Sequence, residues 1–211
     1  MQEYKTIEYY GDYWGLPIIA FDKLDGNNLR FEYSHKRGFY KFGTRNMIID
    51  ETNPDFGFAI KIFLDKYAEP LAKIFKSKDY RDNKSFTCFA ELVGKNSEFG
   101  RHSKDDILDT ILFDVDIDRK GFIPPREFVK NFEKIGIPEV IYEGNLNKEF
   151  VKAVKENQFN LREGVIGKGL IPNQRNKLYY CKIKTNDWFD RLRGNSIELY
   201  EAELKQCKNN V

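Results

Sequence analysis

Short apolar runs broken by turn residues recur along the chain, and their spacing changes between two periods. Strand-like runs fall at Ile18–Phe21, Leu29–Tyr33, Phe86–Val93, Ile111–Ile117, Glu163–Ile166 and Leu178–Lys184. They are four to eight residues long and rich in β-branched and aromatic side chains, as pleated segments prefer. Leu29–Tyr33 and Gly38–Phe42 bracket a turn and read as a hairpin. Between the strands, Ile60, Phe63, Leu64, Tyr67, Leu71, Ile74 and Phe75 return at close to the helical period, although Pro70 is expected to kink or divide that helix. Pro124-Pro125 opens a second helix, with proline in the first turn, running to about Gly136. Leu146–Phe159, with Asn147 as N-cap, forms a third, and the segment from Asn195 to about Cys207 a fourth. Strands interleaved with single helices, without regular βαβα alternation, predict an α+β fold with mixed sheets.

Composition supports a folded core and narrows the setting. The chain has 211 residues, 41% apolar and 15% aromatic, with a net charge of +2. So small a charge implies that any phosphate-binding face comes from local clustering. The three cysteines, Cys88, Cys181 and Cys207, are odd in number and lack metal-ligand spacing, which fits buried free thiols in a reducing compartment. No run reaches the roughly 18 apolar residues that span a membrane. The polar N-terminus carries no targeting core, so the expected location is cytoplasmic. His35 and His102 are too few and too scattered for a metal site or a triad, and both read as surface or loop residues.

Charged residues in apolar strands are the more telling feature. Lys23 follows the run Pro17–Phe21 and precedes an Asp25-Gly26 turn, a poor setting for a solvated lysine and a good one for a covalent nucleophile. In Leu178–Lys184, Lys182 and Lys184 share one face, with Cys181 and Ile183 on the other. Like charges so placed ordinarily sit in solvent; the alternative is that both face a polyanion. Glu91 interrupts the apolar strand Phe86–Val93, either as an edge-strand glutamate or as a hydrogen-bonding group, because a buried carboxylate needs a partner. Glu163 enters the next apolar strand in the same way, ahead of a Gly-rich turn.

Taken in order, these segments resemble the covalent nucleotidyltransferase superfamily of ATP-dependent ligases and mRNA-capping enzymes. Lys23, Asp25 and Gly26 match its Lys-x-Asp-Gly element, and Phe42-Gly43-Thr44-Arg45 is similar to the second element. Phe89-Ala90-Glu91-Leu92-Val93-Gly94 matches the third, Leu112-Phe113-Asp114-Val115 resembles the strand that stacks on the base, Glu163–Ile166 matches the Glu-Gly-hydrophobic element, and Lys182-Ile183-Lys184 the closing Lys-x-Lys. The likeness runs from about Pro17 to Lys184. DNA ligases of this type carry arginine at the sixth place of the first element. Here it is Asn28, which resembles phage-type and editing RNA ligases, while Arg30 two residues on is a partial substitute.

The resemblance implies an α+β ligase-type nucleotidyltransferase fold, with mixed or antiparallel sheets flanked by helices around a nucleotide cleft. It implies an ATP-dependent RNA ligase in which Lys23 takes AMP, passes it to an RNA 5′-phosphate, and a 3′-hydroxyl then displaces it, as in RNA repair. ATP and Mg²⁺ or Mn²⁺ are the implied cofactors, and RNA ends, or DNA ends, the implied partners. Asp22, Asn28, Arg45, Glu91, Phe113, Lys182 and Lys184 would bind the nucleotide: Glu91 at the ribose, Asn28 at the sugar or α-phosphate, Phe113 on the adenine unless it packs in the core. Glu163 would hold the metal, directly or through water. Residues 1–185 would form the adenylation domain and 186–211 a short helical tail, too short for an OB-fold. An ATP-dependent DNA ligase, a GTP-using capping enzyme and a non-catalytic RNA-binding relative are the alternatives.

Other motifs fail on inspection. Asp114-Val115-Asp116-Ile117-Asp118 begins like an EF-hand, but Arg119 and Pro125 stand where Gly and Glu are required, so these acids read as a solvent-facing row. Gly164–Gly169 is too short for a P-loop and lacks the Ser/Thr after Lys168. The basic run Lys73–Lys84 reads as a solvated helix end and loop, with phosphate-backbone contact the alternative.

Overall fold

In the computed structural model, residues 2–95, 105–174 and 177–209 are described; His102 lies outside them. The strands are Glu8–Tyr9 (β1), Pro17–Asp22 (β2), Asn27–Ser34 (β3), Gly38–Thr44 (β4), Ile48–Ile49 (β5), Ser85–Val93 (β6), Asp109–Ile117 (β7), Gly121–Phe122 (β8), Val140–Asn145 (β9), Gly164–Leu170 (β10) and Leu178–Lys184 (β11). The helices are Gly57–Phe75 (α1), Pro125–Phe132 (α2), Lys148–Lys155 (α3), Asn186–Asn195 (α4) and Ile197–Asn209 (α5). Two compact units result, one from residues 25–137 with the first few residues, the other from residues 5–24 with everything from 138 on. Among the described residues no helix is long and apolar enough to cross a membrane.

The first unit is a six-stranded sheet in the order β5-β4-β3-β6-β7-β8, antiparallel throughout. Helix α1 buries Ile60, Phe63, Tyr67, Leu71 and Phe75, the row that the helical period marks. Phe63 stacks on Phe31 with centroids 3.6 Å apart, and Phe75 on Phe86 at 3.9 Å. Pro70 lies inside this helix without dividing it. Helix α2 starts with Pro125 at its first turn, as expected, and a 3₁₀ turn over Glu133–Ile135 carries it to Gly136. The basic residues of the Lys73–Lys84 run are exposed, as is His35.

Two expectations fail in this sheet. Asp114 and Asp116 are 1% and 8% exposed rather than solvent-facing. A bulge opposite Phe89 and Ala90 leaves Phe113 as the extra residue, and Tyr4 covers the acids' face. The Tyr4 ring meets Phe89, Phe113 and Phe122, and its hydroxyl donates to Asp114 at 2.9 Å. Glu91 is not on an edge: β6 lies between β3 and β7.

The second unit is a five-stranded sheet in the order β1-β11-β10-β2-β9, antiparallel except for the parallel β1–β11 pair. Ile18, Ala20, Val165, Cys181 and Ile183 face one way and pack with Phe150, Val151 and Val154 of α3. Asn147 caps α3 by accepting from the Phe150 amide at 2.7 Å. The helix stops earlier than expected, at Lys155, because Asn157 turns the chain with φ at 54°. The helix expected from Asn195 to about Cys207 is α5, and α4 precedes it, the two separated by Ser196 in extended backbone. Thr185 caps the first of them, accepting from Trp188 N at 3.1 Å.

Candidate functional site

The sheet face opposite the apolar core of the second unit carries the chemistry. Strand alternation and register place Lys168 (β10), Lys182 and Lys184 (β11) on that face, with Lys23 just beyond the end of β2. Lys23, Lys184 and Lys182 lie beside carboxylates in an alternating chain, while Lys168 lies over the Phe21 and Tyr180 rings. Lys23 Nζ is 2.7 Å from Glu163 Oε2, and Lys184 Nζ is 3.0 Å from Glu163 Oε1. Glu203 Oε1, from α5, lies 3.2 Å from Lys184 Nζ and 3.0 Å from Lys182 Nζ. The Tyr9 hydroxyl donates to the same oxygen at 2.7 Å. Trp188 supports Lys184 from α4, its ring centroid 3.4 Å from Nζ, and Tyr9 supports Lys182 at 4.6 Å.

Backbone geometry fixes these positions. The Lys23 amide donates to Gly164 O and the Asp22 amide to Glu139 O, both at 2.9 Å, so the nucleophile candidate is clamped against the Glu163-Gly164 corner. A Cβ on Gly164 would come within 2.0 Å of Ile183 O, so only glycine lets β10 meet β11 there.

Burial and charge pull against each other across the cluster. Burial alone would raise the Glu163 carboxyl, but Lys23 and Lys184 outweigh it and hold the group below the usual carboxylate range. Glu203 behaves likewise: burial opposes, while Lys184, Tyr9 and Lys182 draw it down to about 2. Burial lowers the Lys184 ammonium, with Lys23 adding to the effect and Glu163 and Glu203 opposing. Asp22 is raised, first by burial and then by Glu139 and Glu163. Its Oδ1 is buried with no hydrogen-bond partner among the described residues.

The first unit holds the remaining predicted residues. Asn28 on β3 sits directly opposite Glu91 on β6. Asn28 Oδ1 is buried and, among the described residues, lacks a hydrogen-bond partner. Gly26 packs beneath the Glu91 side chain, and a Cβ there would fall 2.1 Å from Leu92 O. That contact gives the Lys-x-Asp-Gly glycine its physical reason. Arg45 is exposed in the bend after β4. Arg30 is not a substitute for the ligase arginine: it is 3% exposed and donates to the Thr44 carbonyl at 2.7 Å and the Gln2 carbonyl at 2.9 Å. Phe113 is half-buried, edge-on to Tyr4 at 5.0 Å.

The RNA ligase family model matches residues 16–183, from just before β2 to the next-to-last residue of β11. The chain belongs to the RNA ligase family. Solved structures of a Naegleria gruberi RNA ligase share its fold. A mutant with AMP and Mn is 15% identical, with a TM-score of 0.63, and covers 90% of this chain and 58% of its own. The same ligase with PPi is 16% identical, at 0.65, covering 92% and 58%. A mutant with ATP and Mn is 19% identical, at 0.63, covering 89% and 57%. The chain thus spans a little over half the length of those ligases. No curated protein matches it.

Three members of the cluster escaped the sequence. Lys168 pairs with Tyr180, on the same face as Lys182, a register that no local pattern gives. Glu203 and Tyr9 were not legible either, because a helical glutamate and the residue of a two-residue strand carry no local sign of a distant lysine pair.

Proposed function

We propose that this chain is the adenylyltransferase part of an ATP-dependent RNA ligase, with residues 1–185 forming the adenylation domain. The observation that carries the reading is the Lys23–Glu163–Lys184 array around a buried carboxylate, built from the motif positions of a family whose model matches most of the chain. In the proposed reaction the Lys23 amine attacks the α-phosphorus of ATP. A P–N bond forms and the bond to pyrophosphate breaks. An RNA 5′-phosphate then attacks that phosphorus, the P–N bond breaks, and the lysine regains its proton. A 3′-hydroxyl finally attacks the activated 5′-phosphate and AMP leaves.

Lys182, Lys184 and Arg45 neutralise the polyphosphate and the charge that gathers on departing pyrophosphate. Glu91 and Asn28 bind the ribose and the sugar–phosphate region, Phe113 stacks on adenine, and Asp22 lies against the nucleotide. A free lysine titrates near about 10.4, so the amine must be deprotonated in place, and neighbouring cations favour that. The donor set suits a hard divalent ion: Glu163 is a buried carboxylate, and Asp22 nearby offers an orphaned oxygen. Among the described residues no group of three or more acidic, His or Cys side chains could hold a metal ion, so substrate oxygens and water complete such a site. Mg²⁺ or Mn²⁺ held by Glu163 would add positive charge beside the α-phosphate. RNA with 5′-phosphate and 3′-hydroxyl ends is the proposed partner. The unpaired thiols Cys88, Cys181 and Cys207 favour a reducing, cytoplasmic setting.

Intact-mass spectrometry after incubation with ATP and Mg²⁺ tests the reading. The expected result is a gain of one AMP, about 329 Da, on the parent and none on Lys23→Ala. No adduct with ATP on the parent would overturn it, and an adduct with GTP alone would favour a capping enzyme.

A further inference from the structure

Glu203 has no place in the reaction above, yet it occupies its electrostatic centre. A single oxygen of this helix-borne carboxylate contacts Lys182 at 3.0 Å, Lys184 at 3.2 Å and the Tyr9 hydroxyl at 2.7 Å. The nearby Gln206 Oε1 accepts from Lys182 at 3.4 Å. Lys182 and Lys184 are 9% and 7% exposed, and Glu203 Oε1 contacts both, so an anion that takes over the pair competes with it. Beside this part-buried carboxylate the charge of a triphosphate would be repelled, and leaving either anion unpaired there is costly. Protonation offers no release, because the group titrates at about 2.

The helix that carries Glu203 is suited to leave. Among its described side chains none is fully buried, and Ile197 and Leu199 are 54% and 61% exposed. Among the described residues its aromatic contact is edge-on, Phe189 to Tyr200 with centroids 6.3 Å apart, and half-buried Cys207 packs against the core of the unit. A helix with no fully buried side chain among those described opens at lower cost than a core helix.

We infer that Glu203 is a resident anion in the polyphosphate site, displaced from Lys182 and Lys184 by ATP and by pyrophosphate alike. It keeps the lysine pair neutralised and aligned when nucleotide is absent, and it sets how tightly both phosphate ligands bind. Displacement swings α5 away from β11, and release of pyrophosphate lets the carboxylate return. The return opposes rebinding of pyrophosphate and so commits the enzyme to the lysyl–AMP. The inference rests on the reading that Lys182 and Lys184 bind phosphates.

Formation of lysyl–AMP titrated with ATP, for the parent, Glu203→Gln and Tyr9→Phe, tests it. Glu203→Gln is expected to lower the KM for ATP by roughly fivefold or more, the scale of one charge-assisted contact, while the rate at saturation changes less than about twofold. The pyrophosphate concentration that reverses adenylation is expected to fall in parallel. Tyr9→Phe keeps the carboxylate but loosens its hold, so it should move KM in the same direction by less. Hydrogen–deuterium exchange over residues 197–208 should quicken when α,β-methylene-ATP and Mg²⁺ are added to the parent. An unchanged or raised KM in Glu203→Gln, with the parent still adenylating, overturns the role of Glu203 alone. Unchanged exchange under saturating analogue does the same. A parent that never forms lysyl–AMP overturns the phosphate-site reading and this inference together.

Discussion

Glu163 carries two lysines at once, and the fold depends on that balance. Its carboxylate meets Lys23 at 2.7 Å and Lys184 at 3.0 Å, and the Glu163 and Lys184 side chains are each 7% exposed. A buried ion pair adds little over a well-packed apolar pair, but removing one partner strands a charge and costs about 3–5 kcal/mol. Glu163→Gln preserves the shape and removes the charge. Lys184 keeps Glu203 and Lys23 keeps some water, so the loss should fall near the low end, about 3 kcal/mol. Urea unfolding with an unchanged slope is the measurement. A loss below about 1 kcal/mol would rank the cluster with ordinary surface pairs. Self-adenylation should fall along with stability, since the same carboxylate is proposed to hold the metal.

At the level of elements, long apolar runs were readable and short pairings were not. Leu178–Lys184 is a strand with the bounds its alternation gives, and its two faces separate as expected, with Cys181 and Ile183 in the core and the two lysines opposite. Strands β1, β5 and β8 are two residues each, too short for an alternation to show; β5 and β8 fold back on the strands just before them, and β1 exists only through pairing with the distant β11. The register shift that leaves Phe113 as an extra residue is equally silent in the sequence, and so was the burial of Asp114 and Asp116. The motif residues were readable because glycine and charge in apolar strands stand out. Their separation into Lys23, Asp22, Glu163, Lys182 and Lys184 on one sheet and Asn28, Glu91, Arg45 and Phe113 with the other was not. Pro70 shows packing overriding propensity. The helix continues through it because Phe63, Tyr67, Leu71 and Phe75 are all buried on one side. Proline in a helix interior costs about 3 kcal/mol relative to alanine, and its stiffening of the unfolded chain returns about 0.4–1 kcal/mol. Pro70→Ala should therefore stabilise the protein by about 2 kcal/mol, read as a rise in Tm. A fall would mean that the Pro70 ring packs too well to lose.

Across the whole molecule, two carboxyls, Glu203 and Asp116, should respond to pH in opposite senses. In the second unit Glu203 is drawn down to about 2, so its contribution is complete above the ordinary glutamate range and is lost as pH falls toward 2. In the first unit Asp116 is raised to about 6, by burial and then by Asp114 and Asp118. A raised carboxyl binds its proton more tightly in the fold than in the unfolded chain, so it favours folding below about 4 and loses that advantage as pH climbs through about 6. With about 1.4 kcal/mol per pKa unit, the Asp116 contribution should make the protein less stable at pH 7.5 than at pH 4 by at most about 3 kcal/mol, and by less where water screens the carboxylate. Asp116→Asn removes the titration while keeping the shape. It should raise Tm clearly at pH 7.5 and change it little at pH 4, where the native carboxyl is already protonated. Equal shifts at the two pH values would show that the substitution acts through packing. A smaller shift at pH 7.5 than at pH 4 would mean that the buried carboxylate is held by a partner that favours its charged form.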